Sequence, residues 1–201
     1  MIYTIGCDFG IPSSVRECLE YFDKFEMIQV DTETSGKDPH VDSVISLQLG
    51  AGDTQFFIDC RQVDIKLFKN LLESKLCILQ NAKFDYKMLK KEGIILDKIY
   101  DTMLVECVLY CGYEKYGYGL AKLVERYTDH TISKDEQMGF IHQGTKPFTE
   151  KQIIYGCSDV AHLEEIRTKQ LELVKKYDLE YCVNLENEVV KAFGDLEYNG
   201  M

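Results

Sequence analysis

Five side chains of this sequence have the types and placement that metal-assisted chemistry on phosphate esters requires. Asp31 and Glu33 stand two apart in the segment MIQVDTET. An apolar run, Met27 to Val30, precedes them and breaks into turn chemistry at Ser35, Gly36, Asp38 and Pro39, which predicts a strand. Side chains alternate along a strand, so the two carboxylates leave the same face. Asp85 falls in the first turn of a predicted helix, just after a short strand that ends at Asn81. Asp159 falls inside another predicted helix, and Tyr155, four residues earlier, shares its face. Carboxylates gathered at one sheet edge repel one another. Hard divalent cations, which prefer oxygen ligands, relieve that repulsion. Two such ions ~3.5–4 Å apart activate a water and steady both the attacking and the leaving oxygen of a phosphoryl transfer.

Elements to hold these groups are legible along the chain. Residues 13–25 predict an amphipathic helix with a serine cap. After the strand bearing Asp31 come two further strands, 44–50 and 54–60, joined through Ala51-Gly52-Asp53 in a hairpin. A helix over 64–73, the buried strand 76–80 and a helix over 83–93 stopped by Gly93 follow. MLVECVLY (103–110) is apolar on nearly all sides and reads as a buried helix, and 119–127 reads as another. Polar residues 129–147 read as a loop. Thr149 and Gln152 form a capping box with Phe148 and Ile153 at the staple positions, opening a helix expected to pass Asp159 and reach about Lys176. This order predicts an α/β fold with a mixed sheet whose first three strands form a meander.

Composition narrows the functional classes. At 201 residues, 45% hydrophobic and 28% charged, the chain is about one domain in size and apolar enough to bury a core. It holds no apolar run of ~18 residues and no secretory signal at its start, so the expectation is a cytoplasmic protein with no membrane partner. Eight cysteines without a CxxC pair then read as reduced thiols. A net charge of −11, from 23 basic and 34 acidic residues, argues against a free-standing binder of long nucleic acid. It leaves open an enzyme that grips only a strand end through metal ions. Neither a Walker loop nor GxGxxG is present, so no nucleotide cofactor is expected, and the GxSxG elbow of serine hydrolases is missing. His40, His130, His142 and His162 show no metal spacing, and the stripe Lys83, Lys87, Lys90 and Lys91 reads as a solvated face.

DTETSG (31–36), QNAKFDY (80–86) and YGCSD (155–159) resemble the three motifs of the DEDD 3′→5′ exonucleases in their tyrosine-bearing (DEDDy) subclass. DTML (101–104), GLAKLVERY (119–127), SKDEQ (133–137) and FTEKQIIYGCSDVAHL (148–163) extend the likeness to the proofreading domain of family A DNA polymerases and to ribonuclease D, over roughly residues 15 to 177. The resemblance implies a ribonuclease-H-like fold with a five-stranded mixed sheet presenting the carboxylates at one end. It implies that Asp31, Glu33 and Asp159 hold a first divalent cation, Mg²⁺ or Mn²⁺. Asp31 then bridges to a second ion, on which Asp85 acts directly or through water. It further implies that the Tyr155 hydroxyl orients the attacking water, and that Thr34 and Asn81 contact the terminal nucleotide. The expected reaction is release of nucleoside 5′-monophosphates from a single-stranded 3′ end of DNA, or of RNA.

Gln80 stands where many relatives have His, Phe140 takes the place of a Trp, and Gly156, Cys157 and Ser158 replace alanines. Gly156 reads either as a close approach or as drift. Residues 184–201 resemble the segment that opens a polymerase domain, so the expected organisation is an exonuclease domain over 1–183 followed by the start of a polymerase-like region. Two alternatives stand beside proofreading: a stand-alone exoribonuclease of the ribonuclease D kind, and a catalytically inactive interaction domain. The intact set Asp31, Glu33, Asp85, Tyr155 and Asp159 argues against the latter.

Overall fold

The apolar runs assemble into one sheet in the computed structural model, which describes residues 1–111, 113, 115, 117–132, 140 and 143–201. Its strands are β1 (Ile2–Ile5), β2 (Ile11–Pro12), β3 (Met27–Thr34), β4 (Val44–Ala51), β5 (Thr54–Asp59), β6 (Leu76–Leu79) and β7 (Lys98–Asp101), in the order β2-β1-β5-β4-β3-β6-β7. β3, β4 and β5 form the expected antiparallel meander, with Gly52 at φ +53° in the hairpin turn, where a side chain would be strained. β6 pairs parallel to β3, and β7 parallel to β6. Among the described residues these five strands form one contiguous side of a seven-stranded sheet, with β7 at its edge, rather than the whole of it. β1 and β2 extend the edge beyond β5 in parallel register. Such short segments carry too little alternation to announce themselves; pairing with β5 makes β1 a strand.

Helices cover both faces: α1 (Val15–Phe22), α2 (Lys69–Ser74, after a 3₁₀ turn at Ile65–Phe68), α3 (Ala82–Lys91), α4 (Thr102–Leu109), α5 (Leu120–Tyr127), α6 (Glu150–Ala161), α7 (Leu163–Lys176) and α8 (Glu180–Tyr198). Ile28 and Val30 of β3 and Leu47 and Leu49 of β4 join Phe22, Phe68, Leu72 and Met88 in the main core, under α1 to α3. The opposite face of the same strands is polar: Gln29, Asp31 and Glu33 on β3, with Gln48 and Ser46 paired to the last two on β4. Every residue of β4 is buried, so that polar face is covered as well.

The serine cap of α1 forms as a full capping box, Ser14 with Glu17, and the expected box of Thr149 with Gln152 forms as well. The single helix expected from Thr149 to about Lys176 is instead two, broken at His162. The Gln29 Oε1 accepts from the Glu164 backbone N–H at 3.0 Å, so a sheet side chain starts α7 anew. No Gly or Pro marks this break in the sequence.

The expected boundary at 183/184 falls inside α8, whose buried face is Val183, Asn187, Val190 and Gly194. Gly194 lets α8 approach α3 closely, since a Cβ there would lie 2.6 Å from Cδ1 of Tyr86. Acidic residues of α8 engage the lysine stripe of α3: Lys83 and Lys87 pair with Glu197, and Lys90 with Asp195. All eight cysteines are free thiols. Among the described residues no helix is long and apolar enough to cross a membrane. The segment 133–137 and His142 lie outside the described residues.

Candidate active site

Strand β3 delivers Asp31 and Glu33 to the polar face, and α6 crosses that face. The crossing is close because Gly156 has no side chain. A Cβ there would meet Nε2 of Gln48 and Cε2 of Phe57, each at 3.1 Å. Close approach is therefore the role of Gly156. Asp159, one turn further along α6 and 8% exposed, thereby faces the strand. Carboxylate oxygens of Asp31, Glu33 and Asp159 come within 4.8 Å of one another.

Asp85 reaches the end of β3 from the other side of the sheet. Buried in the first turn of α3, its Oδ1 accepts from the Thr32 backbone N–H at 3.0 Å and from the Thr32 hydroxyl at 2.6 Å. It stands apart from the three-carboxylate cluster, yet its charge acts on Asp31. The turn into α3 is unusual. Asn81 adopts the left-handed conformation (φ 63°, ψ 49°), one that asparagine tolerates better than most residues. Asp101 holds it there: the Asp101 carboxylate accepts from Asn81 N at 3.0 Å, from Ala82 N at 2.8 Å and from Met103 N at 2.9 Å, capping α3 and α4 together. The Asp101 backbone N–H in turn donates to Oδ1 of Asn187 on α8 at 2.7 Å. Gln80 accepts from the Thr102 hydroxyl and donates to the Tyr118 carbonyl, tying the segment before α5 to the end of β6. Asp101 was within reach of sequence reasoning as an N-cap before MLVECVLY. Asn187 was not, because nothing local sets it apart.

Electrostatics reflect the crowding. Burial, and then the charges of Asp85, Glu33 and Asp159, push the Asp31 carboxyl well above the ordinary carboxylate range. Burial followed by Asp159 and Asp85 raises Glu33 to about 8. Asp85 rises to about 7 through burial, although its bonds from Thr32 oppose the shift. Burial and the charges of Asp159 and Glu33 also push the Tyr155 phenol upward, so it stays protonated and able to donate. Phe140 packs on the Tyr155 ring, with centroids 6.1 Å apart. Thr34 lines the cleft with its hydroxyl donating to the Gly36 carbonyl. His162 stacks on His130 with centroids 4.8 Å apart.

The carboxylates line a cleft of about 280 Å³ with Asn81, Phe84 and Lys37. A second recess, also about 280 Å³, shares Asp31, Gln80, Asn81 and Asp159 with it and adds Tyr155. The donor set is entirely oxygen, crowded and strongly self-repelling, which fits hard divalent cations and not soft ones.

A mixed sheet whose central strand ends in clustered carboxylates, crossed by a helix bearing tyrosine and aspartate, defines a ribonuclease-H-like nuclease of the DEDD type. Residues 11–175 match the 3′-5′ exonuclease family, and the chain belongs to it. DNA polymerase I of Aquifex aeolicus is 25% identical over 167 residues, covering 83% of this chain and 27% of that protein. Ribonuclease D of Bartonella henselae is 27% identical over 173 residues, covering 80% of this chain and 41% of that protein. The chain thus spans less than half the length of either curated relative. Among solved structures, Brucella melitensis NrnC superposes with a TM-score of 0.82 at 18% identity, over 99% of this chain and 93% of that one. NrnC structures with bound Mg²⁺ and with bound pGG superpose with TM-scores of 0.80 and 0.82.

Proposed function

We propose that this chain trims single-stranded RNA from its 3′ end, in the manner of ribonuclease D, releasing nucleoside 5′-monophosphates. The observation that carries hydrolysis is the convergence of Asp31, Glu33 and Asp159 within 4.8 Å beside a protonated Tyr155. Those three carboxylates would hold one divalent cation, and Asp31 with Asp85 a second, Mg²⁺ or Mn²⁺. Bound there, such ions supply an activated water and neutralise charge on the phosphate. Tyr155 donates its hydroxyl hydrogen to orient the attacking oxygen. With Thr32 fixing its carboxylate, Asp85 keeps one geometry through the reaction. Asn81 presents its amide to the terminal nucleotide, its side chain playing no part in capping α3. Thr34, committed to Gly36, shapes that end of the cleft through its methyl and backbone.

RNA is favoured by the ribonuclease D relative and by NrnC solved with pGG. The residues read as opening a polymerase domain fold back against α3 and β7 and complete the wall behind Asp101. Identity to DNA polymerase I favours a second reading, proofreading on DNA ends beside a polymerase domain. The deciding assay digests 5′-labelled RNA and DNA of one sequence with Mg²⁺ or Mn²⁺, wild type against Asp31→Ala and Asp159→Ala. RNA shortened stepwise from its 3′ end, with DNA spared and both variants silent, is the expected result. DNA preferred over RNA would favour proofreading, and persistent cleavage by both variants would displace the site.

A further inference from the structure

A third cavity, of about 220 Å³, adjoins the catalytic cleft and is unlike it. Met103 and Leu104 of α4 face Val189, Val190 and Phe193 of α8 across it, and no carboxylate of the catalytic cluster lines it. Asn81 lines this cavity as well as both recesses of the cleft, so the three spaces meet at one residue. Phe193 stands 54% exposed on the wall. A phenyl half in water beside an apolar hollow, at the edge of a nucleic-acid cleft, is a ready stacking platform, because every base has a π-face. A polar group is placed on the rim to match a base: Glu186 accepts from ring or exocyclic N–H groups, while Lys83, also on the rim, is held by Glu197.

We propose that this cavity is a nucleobase subsite, holding a base upstream of the scissile bond between Phe193 and the Met103–Leu104 wall. The proposal rests on the exonuclease reading and adds to it a way for the enzyme to sense oligonucleotide length. In a chain of net charge −11 whose cations would sit at the strand end, base stacking adds grip upstream of them, because it is sequence-tolerant and needs few cations.

The test measures kcat and KM in Mg²⁺ for 5′-labelled oligonucleotides of two to five nucleotides, together with binding of the same oligonucleotides in Ca²⁺. Wild type should show a drop in KM at the length that first reaches the cavity. Phe193→Ala should remove that drop, raising KM for the longer oligonucleotides about tenfold, with the dinucleotide and kcat unchanged. Phe193→Trp should restore it. An abasic residue at the sensing position should weaken wild type to the same extent and leave Phe193→Ala unaffected. Identical length profiles for wild type and Phe193→Ala would overturn the subsite, as would an equal loss at every length. Failure of wild type to cleave any oligonucleotide would instead defeat the exonuclease reading, and the length dependence of binding then decides the subsite alone.

Discussion

Replacing Glu33 by Gln should stabilise the cation-free protein at neutral and higher pH while weakening its response to cations. Burial and neighbouring carboxylates raise the Glu33 carboxyl from 4.5 to about 8 in the fold. The unfolded chain therefore gives up this proton first as pH rises. Stability is lost progressively between about pH 4.5 and pH 8, the reverse of an ordinary salt-bridged carboxylate. At pH 7 the unfolded state gains about 3 kcal/mol from ionising where the folded state does not, at ~1.4 kcal/mol per pH unit. A neutral, isosteric Gln avoids that loss. For a chain of this size ~1 kcal/mol moves Tm by roughly 2–4 °C, so the upper bound is a rise of roughly 6–12 °C. The assay is thermal unfolding of both proteins in EDTA at pH 5 and pH 8, repeated with Mn²⁺. Wild type should lose stability from pH 5 to pH 8 in EDTA more steeply than Glu33→Gln, and should gain more from Mn²⁺ at pH 8. If Glu33→Gln proves less stable than wild type at pH 8 in EDTA, the crowded-carboxylate account of this site is wrong.

Other changes probe single links of the same construction. Tyr155→Phe should lower kcat about 10²-fold, as expected for loss of one positioned donor, with KM and Mn²⁺-induced stabilisation unchanged; unaltered turnover would remove Tyr155 from the reaction. Gly194→Ala should destabilise by ~1–3 kcal/mol in a urea titration despite the better helix propensity of alanine, because its Cβ would meet the Tyr86 ring at 2.6 Å. Asn187→Leu strips the Asp101 N–H of its buried acceptor and should cost about 1–3 kcal/mol. Because Asp101 also sets the Asn81 turn, the surviving folded enzyme should show a raised KM; a variant as stable and as active as wild type would show that this link is idle.

Legibility followed range along the chain. Asp31 and Glu33 on one face, Tyr155 and Asp159 one turn apart, the serine cap of α1 and the box at Thr149 are all consequences of strand alternation or helical pitch within a few residues. The break at His162 was not legible, because the group that starts α7 is Gln29, far away on β3. Nor were β1 and β2, which are strands only by virtue of β5. The lysine stripe read as solvated because its acidic partners lie on α8, more than a hundred residues on.

From sequence alone came the chemical inventory: which carboxylates, on which kind of element, and pointing to which side. Short-range backbone geometry determines those features, and it is written in adjacent residues. Whether the carboxylates converge was decided by tertiary structure. α6 had to pass near enough to β4 for a glycine to be needed at 156, and Asp85 had to meet Thr32 through the end of the sheet. Such distances depend on how volumes from separate stretches of chain interlock, and no single stretch encodes them.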